Sequence, residues 1–147
     1  FITLNFLENI AFQWILIITR EDPMKMKPMT IDETRRDGVT VLTLQGMLMY
    51  RPDLSSFYQR IQRLRTSDVN RVVVDFSRVK IFSAGLLGWL IQSQAALHQT
   101  GGDLRLTGLS KQSKRILRLT RVFDRFQKFR TPRQAINSFG RSLSQAA

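Results

Sequence analysis

Apolar and polar residues alternate along several short stretches of the chain, as they do in β-strands that bury one face. The dipeptide Asp37-Gly38 separates two of these stretches and favours a hairpin turn, because glycine readily takes a positive φ. Residues 72–76 read Val-Val-Val-Asp-Phe, a pattern typical of a strand buried on both faces of a parallel sheet. The strands predicted in this way cover residues 31–36, 39–44, 72–76, 104–109 and 126–129.

Four other stretches place apolar residues at the spacing of one helix face. They begin at Pro52-Asp53, Ser83, Ser110 and Thr131-Pro132, which are residue types favoured at helix starts. Gly101-Gly102 ends the second helix. The resulting order, ββαβαβαβα, predicts the α/β class, with a mixed sheet of four to five strands covered by about four helices.

The length of 147 residues favours one domain, which we place at residues 30–140, followed by a tail at 141–147. Residues 1–29 are interpreted as an appendage outside that domain. Their apolar run is shorter than the roughly 20 residues that span a bilayer, and they lack the pattern of a signal peptide. We favour out-of-place translation upstream of a true start at Met24 or Met26. The alternative is a short amphipathic segment that lies on a membrane or on the domain.

The residue types that most often carry catalysis and metal binding are scarce. The chain has no cysteine and one histidine, His98, which excludes disulfides and thiolate sites and disfavours a zinc site. It has neither a P-loop nor a G-x-S-x-G motif. Asp75 ends a buried strand, where open α/β sheets bind ligands, but we prefer a hydrogen bond to a neighbouring loop. We therefore expect a protein that is not an enzyme and that uses no cofactor and no metal.

The net charge of +12 is concentrated near the C-terminus, since residues 101–147 carry eleven Lys and Arg against two Asp. Such a field attracts an acidic protein, a nucleic acid or an anionic membrane, or is only a solvated basic face. Six of the charges fall at helical spacing without interleaved aromatic residues, so nucleic-acid binding ranks last. These six are Lys111, Lys114, Arg115, Arg118, Arg121 and Arg125.

Ser83 is a candidate functional residue because it lies where a buried strand leads into a helix. As the N-cap, its hydroxyl would accept a hydrogen bond from a first-turn N–H, which is a structural role. Ala84 and Gly85 are small and would leave the hydroxyl accessible to another protein. A phosphate at this position would be stabilised by the positive end of the helix.

Residues 72–126 resemble the STAS family, the domain of anti-sigma-factor antagonists and sulphate-transporter tails. They follow the family order of strand, Asp-x-Ser, short loop, Asp-Ser-Ser-Gly-Leu, helix, Gly-Gly, strand and helix. The stretches LTLQGMLM and FRTPRQAI resemble the family's upstream strand and its final strand and helix start, so coverage runs from about residue 30 to residue 139. The resemblance implies that Ser83 occupies the serine position that a partner kinase, itself an anti-sigma factor, often phosphorylates.

Several positions depart from the family pattern. Phe82 replaces an Asp, Ala84 a Ser, Met47 a Glu and Met49 an Asp, so the acids near the phosphorylation loop are lost. Arg121 stands where a Gly is usual. The apolar residues Met47, Met49, Phe82 and Leu86 would form a permanent docking patch instead; the alternative is ordinary packing, which we favour more for Leu86 than for Met49. The expected partner-binding residues are Met47, Met49, Phe82, Ser83, Ala84, Gly85 and Leu86.

Three functions remain open at this point. The leading one is a cytoplasmic anti-sigma factor antagonist that binds an anti-sigma factor and serine kinase in bacterial partner switching. The second is an accessory subunit of a membrane transporter, such as a lipid ABC system, with membrane contact only through that assembly or through residues 1–29. The third, which we do not favour, is nucleic-acid binding.

Overall fold

The predicted strands and helices fold into one mixed sheet with helices on both faces. The computed structural model describes residues 29–48, 51–67, 70–82 and 84–146, without the side chains of residues 47–48, 51–54, 80–82, 84 and 141–146. The elements are β1 (Thr30–Arg36), β2 (Val39–Leu48), α1 (Arg51–Arg65), β3 (Arg71–Phe82), α2 (Ala84–His98), β4 (Asp103–Thr107), α3 (Lys111–Leu119), a 3₁₀ helix (Phe123–Arg125), β5 (Lys128–Phe129) and α4 (Pro132–Ala146). Their order confirms the predicted ββαβαβαβα arrangement.

The five strands lie in chain order, from β1 to β5. β1 and β2 form an antiparallel hairpin, whereas β2, β3, β4 and β5 run parallel to one another. Asp37 and Gly38 both have positive φ, 53° and 75°, the signature of the primed turn that matches the twist of a hairpin. The predicted turn at these two residues is therefore confirmed.

Each parallel crossover advances by one strand in the same direction, so right-handed connections place α1, α2 and α3 on the same face of the sheet. That face holds the larger core, where Leu42, Val74 and Leu106 of the strands meet Phe57 of α1 and Leu90 of α2. The alternate strand residues point to the opposite face. A smaller core there is formed by strand residues Val39, Val41 and Val73 and by α4 residues Ala135, Ile136 and Phe139.

One of the basic residues near the C-terminus belongs to the interior. The Arg105 side chain is almost fully buried, and its Nε lies 3.2 Å from Oδ2 of Asp103. Its guanidinium carbon lies 3.9 Å from the ring centre of Phe139. Because this arginine is paired and covers an aromatic ring, it joins β4 to α4 and is not part of the solvated basic surface.

β2, β3 and the last helix are longer than predicted, whereas β4 and β5 are shorter than their expected ranges of 104–109 and 126–129. β2 continues to Leu48 and β3 to Phe82, four and six residues beyond their expected ends. α4 is helical as far as Ala146, so the backbone of most of the expected tail at residues 141–147 is helical. No helix in the described part of the chain combines the length and the apolar content needed to cross a bilayer.

Candidate partner-binding site

The predicted strand-to-helix junction lies at the end of the sheet where the parallel strands β2 and β3 finish. β2 and β3 run parallel and end side by side, with Leu48 opposite Phe82 and Met47 opposite Ile81. α2 begins at Ala84, two residues after the last residue of β3. The backbones of Met47, Phe82 and Ala84 therefore come together at this end of the sheet.

Two residues of the expected site lie outside the described residues. They are Ser83, between the end of β3 and the start of α2 in the chain, and Met49, directly after β2. Their roles, and the side-chain exposure of Met47, Phe82 and Ala84, remain predictions. The other two expected residues, Gly85 and Leu86, are described completely.

Leu86 corrects the expected docking patch. Its side chain is completely buried in the larger core, so it is not available to a partner. The preceding residue, Gly85, is exposed. Successive residues of a helix point about 100° apart. Leu86 therefore points into the core between α2 and the sheet, whereas Gly85 faces outward. Leu86 thus anchors the first turn of α2, and only Gly85 of the two can contact a partner.

Two β-bulges shape β3 just before the junction. The register with β2 shifts between Thr43 and Gln45 and again between Gly46 and Met47, and each shift adds one residue to β3. Gly46, between the two shifts, has a φ of 102°, which favours glycine. Bulges bend a strand and change the direction of the residues that follow, and they are frequent next to functional sites. They therefore determine the position and the direction of the last residues of β3, which precede α2.

Asp75 has the structural role that we expected, but its partners lie on β3 and β4 and not in a neighbouring loop. Its carboxylate is buried and accepts hydrogen bonds from the Ser77 N–H at 3.1 Å and the Ser77 hydroxyl at 3.0 Å. It also accepts one from the Thr107 hydroxyl at 3.2 Å. A Cβ on Gly108 would lie 2.7 Å from the Asp75 Oδ1, so the chain packs tightly against this carboxylate. The group ties β3 to β4 through the Thr107 hydroxyl.

The outer face of α2 extends the candidate site in a way that sequence reasoning missed. Between Gly85 and Leu97 its exposed residues are Gly85, Gly88, Gln92 and Ala95, which we call the α2 face. From Ala84 to Leu97 the helix contains no Asp, Glu, Lys or Arg, although the chain carries a net charge of +12. A Cβ on Gly88 would meet no atom within 4 Å. The signal in the sequence was Gly88, a mid-helix glycine for which neither conformation nor packing gives a reason.

An aromatic pair links α2 to α1. The rings of Tyr58 and Trp89 are half-buried and lie 4.8 Å apart, centre to centre. Trp and Tyr are enriched in protein interfaces, whereas charged residues are depleted from interface centres. The α2 face itself carries no charged residue, which agrees with the depletion of charge from interface centres, and the aromatic pair lies beside it.

The basic residues of α3 form a separate surface. Lys111, Lys114, Arg115 and Arg118 are exposed, as is Arg121 after the helix. Lys128 is different, because burial lowers the pKa of its amine; Asp124 opposes this effect and Arg118 adds to it. The Lys128 amine donates hydrogen bonds to the Phe123 and Phe126 carbonyls and lies over the Phe123 ring. Arg125, Arg130 and Arg133 are exposed as well, so α3 contributes only part of the solvated basic field.

Comparison with known proteins identifies the family. A family model described as Mlab, STAS domain, matches residues 31–127, about two-thirds of the chain. The chain belongs to this STAS-domain family. The family resemblance expected from the sequence is confirmed. No curated protein matches the chain.

Solved structures have the same fold. An anti-sigma-factor antagonist (STAS) domain protein from Planctomyces limnophilus has a TM-score of 0.65 at 14% identity and covers 75% of this chain and 97% of its own. The anti-sigma factor antagonist SpoIIAA in its unphosphorylated form has a TM-score of 0.64 at 15% identity, with 76% and 96% covered. An anti-sigma factor antagonist from Mycobacterium paratuberculosis has a TM-score of 0.63 at 22% identity, with 76% and 93% covered. The STAS fold, a five-stranded mixed sheet with four helices, is thereby established for this chain.

Proposed function

We propose that this STAS domain binds an anti-sigma factor that is also a serine kinase, and that it does so through the β3–α2 junction and the α2 face. The observation that carries the proposal is the uncharged outer surface of α2, continuous with Gly85 at the junction, in a strongly basic chain. The similarity to anti-sigma factor antagonists supports the class of partner. The proposed role is therefore binding rather than catalysis.

Phosphorylation at Ser83 is the regulatory part of the proposal. The first turn of α2 contains no acidic residue, so a phosphate before it would meet the positive helix end without local repulsion. SpoIIAA has been solved in a phosphorylated as well as an unphosphorylated form, which supports a phosphate-dependent role for a domain of this fold. A doubly charged group at the edge of a neutral binding surface would disfavour a partner fitted to that surface.

Binding is tested with a matched pair of glycine substitutions. Gly88→Arg adds a long charged side chain to the α2 face, and a Cβ at this position meets no atom within 4 Å, so the fold is retained. Gly140→Arg makes the same change at an equally open, exposed position of α4 on the opposite side of the sheet. We expect Gly88→Arg to weaken binding to the cognate anti-sigma factor at least about a hundredfold, as interface-centre changes do, and Gly140→Arg to leave it unchanged. Equal affinities, measured by calorimetry, would remove the α2 face from the proposal.

Phosphorylation is tested with a second matched pair. Incubation with the cognate kinase and ATP should place one phosphate on the protein, and Ser83→Ala should abolish it. Ser110→Ala is the control, because Ser110 is an exposed N-cap whose hydroxyl accepts from the Ser113 N–H at 3.0 Å. Phosphate that persists in Ser83→Ala but not in Ser110→Ala would reject Ser83 as the site.

A second candidate function follows from the lost acids. Phe82, Ala84, Met47 and Met49 replace polar or acidic residues of the family pattern, which favours a permanent contact over a phosphate-controlled one. An accessory subunit of a membrane transporter would need such a contact. Co-purification with a transport ATPase, together with no phosphate on Ser83 after incubation with kinase, would support this function over the first.

A further inference from the structure

β1 is the longer of the two sheet edges, and its outer side has no partner in the described part of the chain. It pairs with β2 on one side only, and no described strand lies on the other. Six of its seven residues are exposed, so its two faces are open as well. An edge of this kind presents a row of backbone donors and acceptors to any strand that approaches it.

The hairpin turn determines which backbone groups point outward. In a two-residue hairpin the residues that flank the turn, here Arg36 and Val39, exchange both backbone hydrogen bonds. Because the direction alternates along a strand, Thr34 and Asp32 also face β2. The N–H and C=O groups of Arg35 and Glu33 consequently face outward.

The charges of β1 are arranged symmetrically about Thr34. The sequence Asp32-Glu33-Thr34-Arg35-Arg36 has two negative residues, a neutral one and two positive residues. If a second copy pairs antiparallel with Thr34 at the centre, Asp32 lies opposite Arg36 and Glu33 opposite Arg35, each pair occurring twice. Opposite charges in directly facing positions stabilise a pair of strands, and like charges destabilise it.

The backbone pattern permits this register. Residues that face each other across an antiparallel ladder must both point outward or both point inward, and the pairs Glu33–Arg35 and Asp32–Arg36 satisfy this condition. A register shifted by one residue would place an outward-pointing residue opposite an inward-pointing one, so it does not meet this condition. The next permitted registers are centred on Glu33 and on Arg35, and they place two glutamates or two arginines against each other.

We propose that β1 binds β1 of a second copy of this chain, antiparallel and centred on Thr34, which joins the two five-stranded sheets across a two-fold axis. The faces beside β1 leave space for this, because α4 packs on Val39, Val41 and Val73 of the inner strands. Within the dimer the Asp32–Arg36 pair decides specificity. Glu33 already forms an ion pair with Arg60 of α1 at 3.2 Å, whereas the described residues provide no ion pair for Asp32 or Arg36.

A disulfide at the axis tests the register. The chain has no cysteine, so a single introduced cysteine is its only thiol and any disulfide must join two copies. In the proposed dimer the two Thr34 Cα atoms are about 4.5 Å apart, as in a non-hydrogen-bonded antiparallel pair, and this lies within the range for a disulfide. We expect Thr34→Cys in the full chain to cross-link nearly completely under mild oxidation. Gln59→Cys, at an exposed site on α1, should not cross-link. Faster cross-linking of Glu33→Cys than of Thr34→Cys, or of Gln59→Cys to the same extent, would overturn the register.

Charge exchange tests the interaction that selects the second copy. Asp32→Arg and Arg36→Asp each convert both symmetry-related pairs to repulsion, and each should weaken self-association about tenfold or more in sedimentation equilibrium. The double variant Asp32→Arg with Arg36→Asp keeps the net charge of +12 and restores both pairs, so it should associate as tightly as the original chain. A monomer at every concentration, or single variants that associate as well as the double variant, would overturn the proposal.

Discussion

Replacing Arg121 with glycine should stabilise the domain, because Arg121 occupies a backbone conformation that suits glycine. Its φ is 60°, in the left-handed region. The Arg121 N–H donates to the Arg118 carbonyl at 3.1 Å and the Val122 N–H to the Leu117 carbonyl at 3.0 Å, which is the Schellman arrangement at the end of α3. Gly101, with a φ of 79°, already provides a left-handed glycine at the end of α2.

The magnitude follows from two opposing effects. A residue with a Cβ costs about 1–2 kcal/mol in the left-handed region, and this cost is removed. Glycine has greater conformational freedom in the unfolded chain, which lowers the free energy of unfolding by about 0.5–1 kcal/mol. We expect a net gain of about 0.5–1 kcal/mol in the free energy of unfolding, equivalent to a rise in Tm of roughly 1–4 °C for a domain of this size. Thermal unfolding followed by circular dichroism would measure it.

A matched control separates this effect from the loss of a positive charge. Arg115→Gly removes the same charge from an exposed position within α3, where helical φ gives glycine no advantage, and should lower the stability by about 0.5–1 kcal/mol. Arg121→Ala keeps the Cβ and should gain nothing. If Arg121→Gly unfolds at or below the Tm of the original chain, the left-handed conformation is not the source of strain.

Three further predictions concern positions where contacts are specific. Leu86→Ala should lower the free energy of unfolding by about 2–5 kcal/mol, because the side chain is completely buried; a loss below about 0.5 kcal/mol in urea denaturation would contradict its place in the core. Asp75→Ala should cost about 1–3 kcal/mol by leaving the Thr107 hydroxyl unpaired, and Asp75→Asn should recover part of that loss in the same assay. Gly102→Ala should reduce the Tm by several degrees, since its Cβ would lie 2.1 Å from the Asn70 carbonyl oxygen; an unchanged Tm would show that this close approach relaxes without cost.

Local signals in the sequence predicted the element order well. The Asp37-Gly38 turn and the start of α4 depend on residues a few positions apart. At that start the Thr131 hydroxyl accepts from the Gln134 N–H at 3.3 Å, and the Gln134 side chain accepts from the Arg130 N–H at 3.2 Å. Because such contacts are made within one turn, the residue types alone indicate them.

The candidate site was predicted only in part. The sequence placed a strand-to-helix junction at residue 83, and β3 ends and α2 begins on either side of it. It did not separate Leu86, which is buried, from the exposed Gly85, and it missed Gly88. The apolar pattern of α2 is too continuous to define one face, so packing against the sheet and α1 decides which residues are covered.

The sequence by itself therefore determined the order of strands and helices, the turns between them and the family. The tertiary structure decided the lengths of β2 and β3, the burial of Leu86 and Arg105, and the exposure of the outer edge of β1. The physical reason is the range of the interactions. Turns and helix caps form between neighbours in the chain, whereas bulges, burial and sheet edges depend on segments that are distant in sequence and meet only in the folded domain.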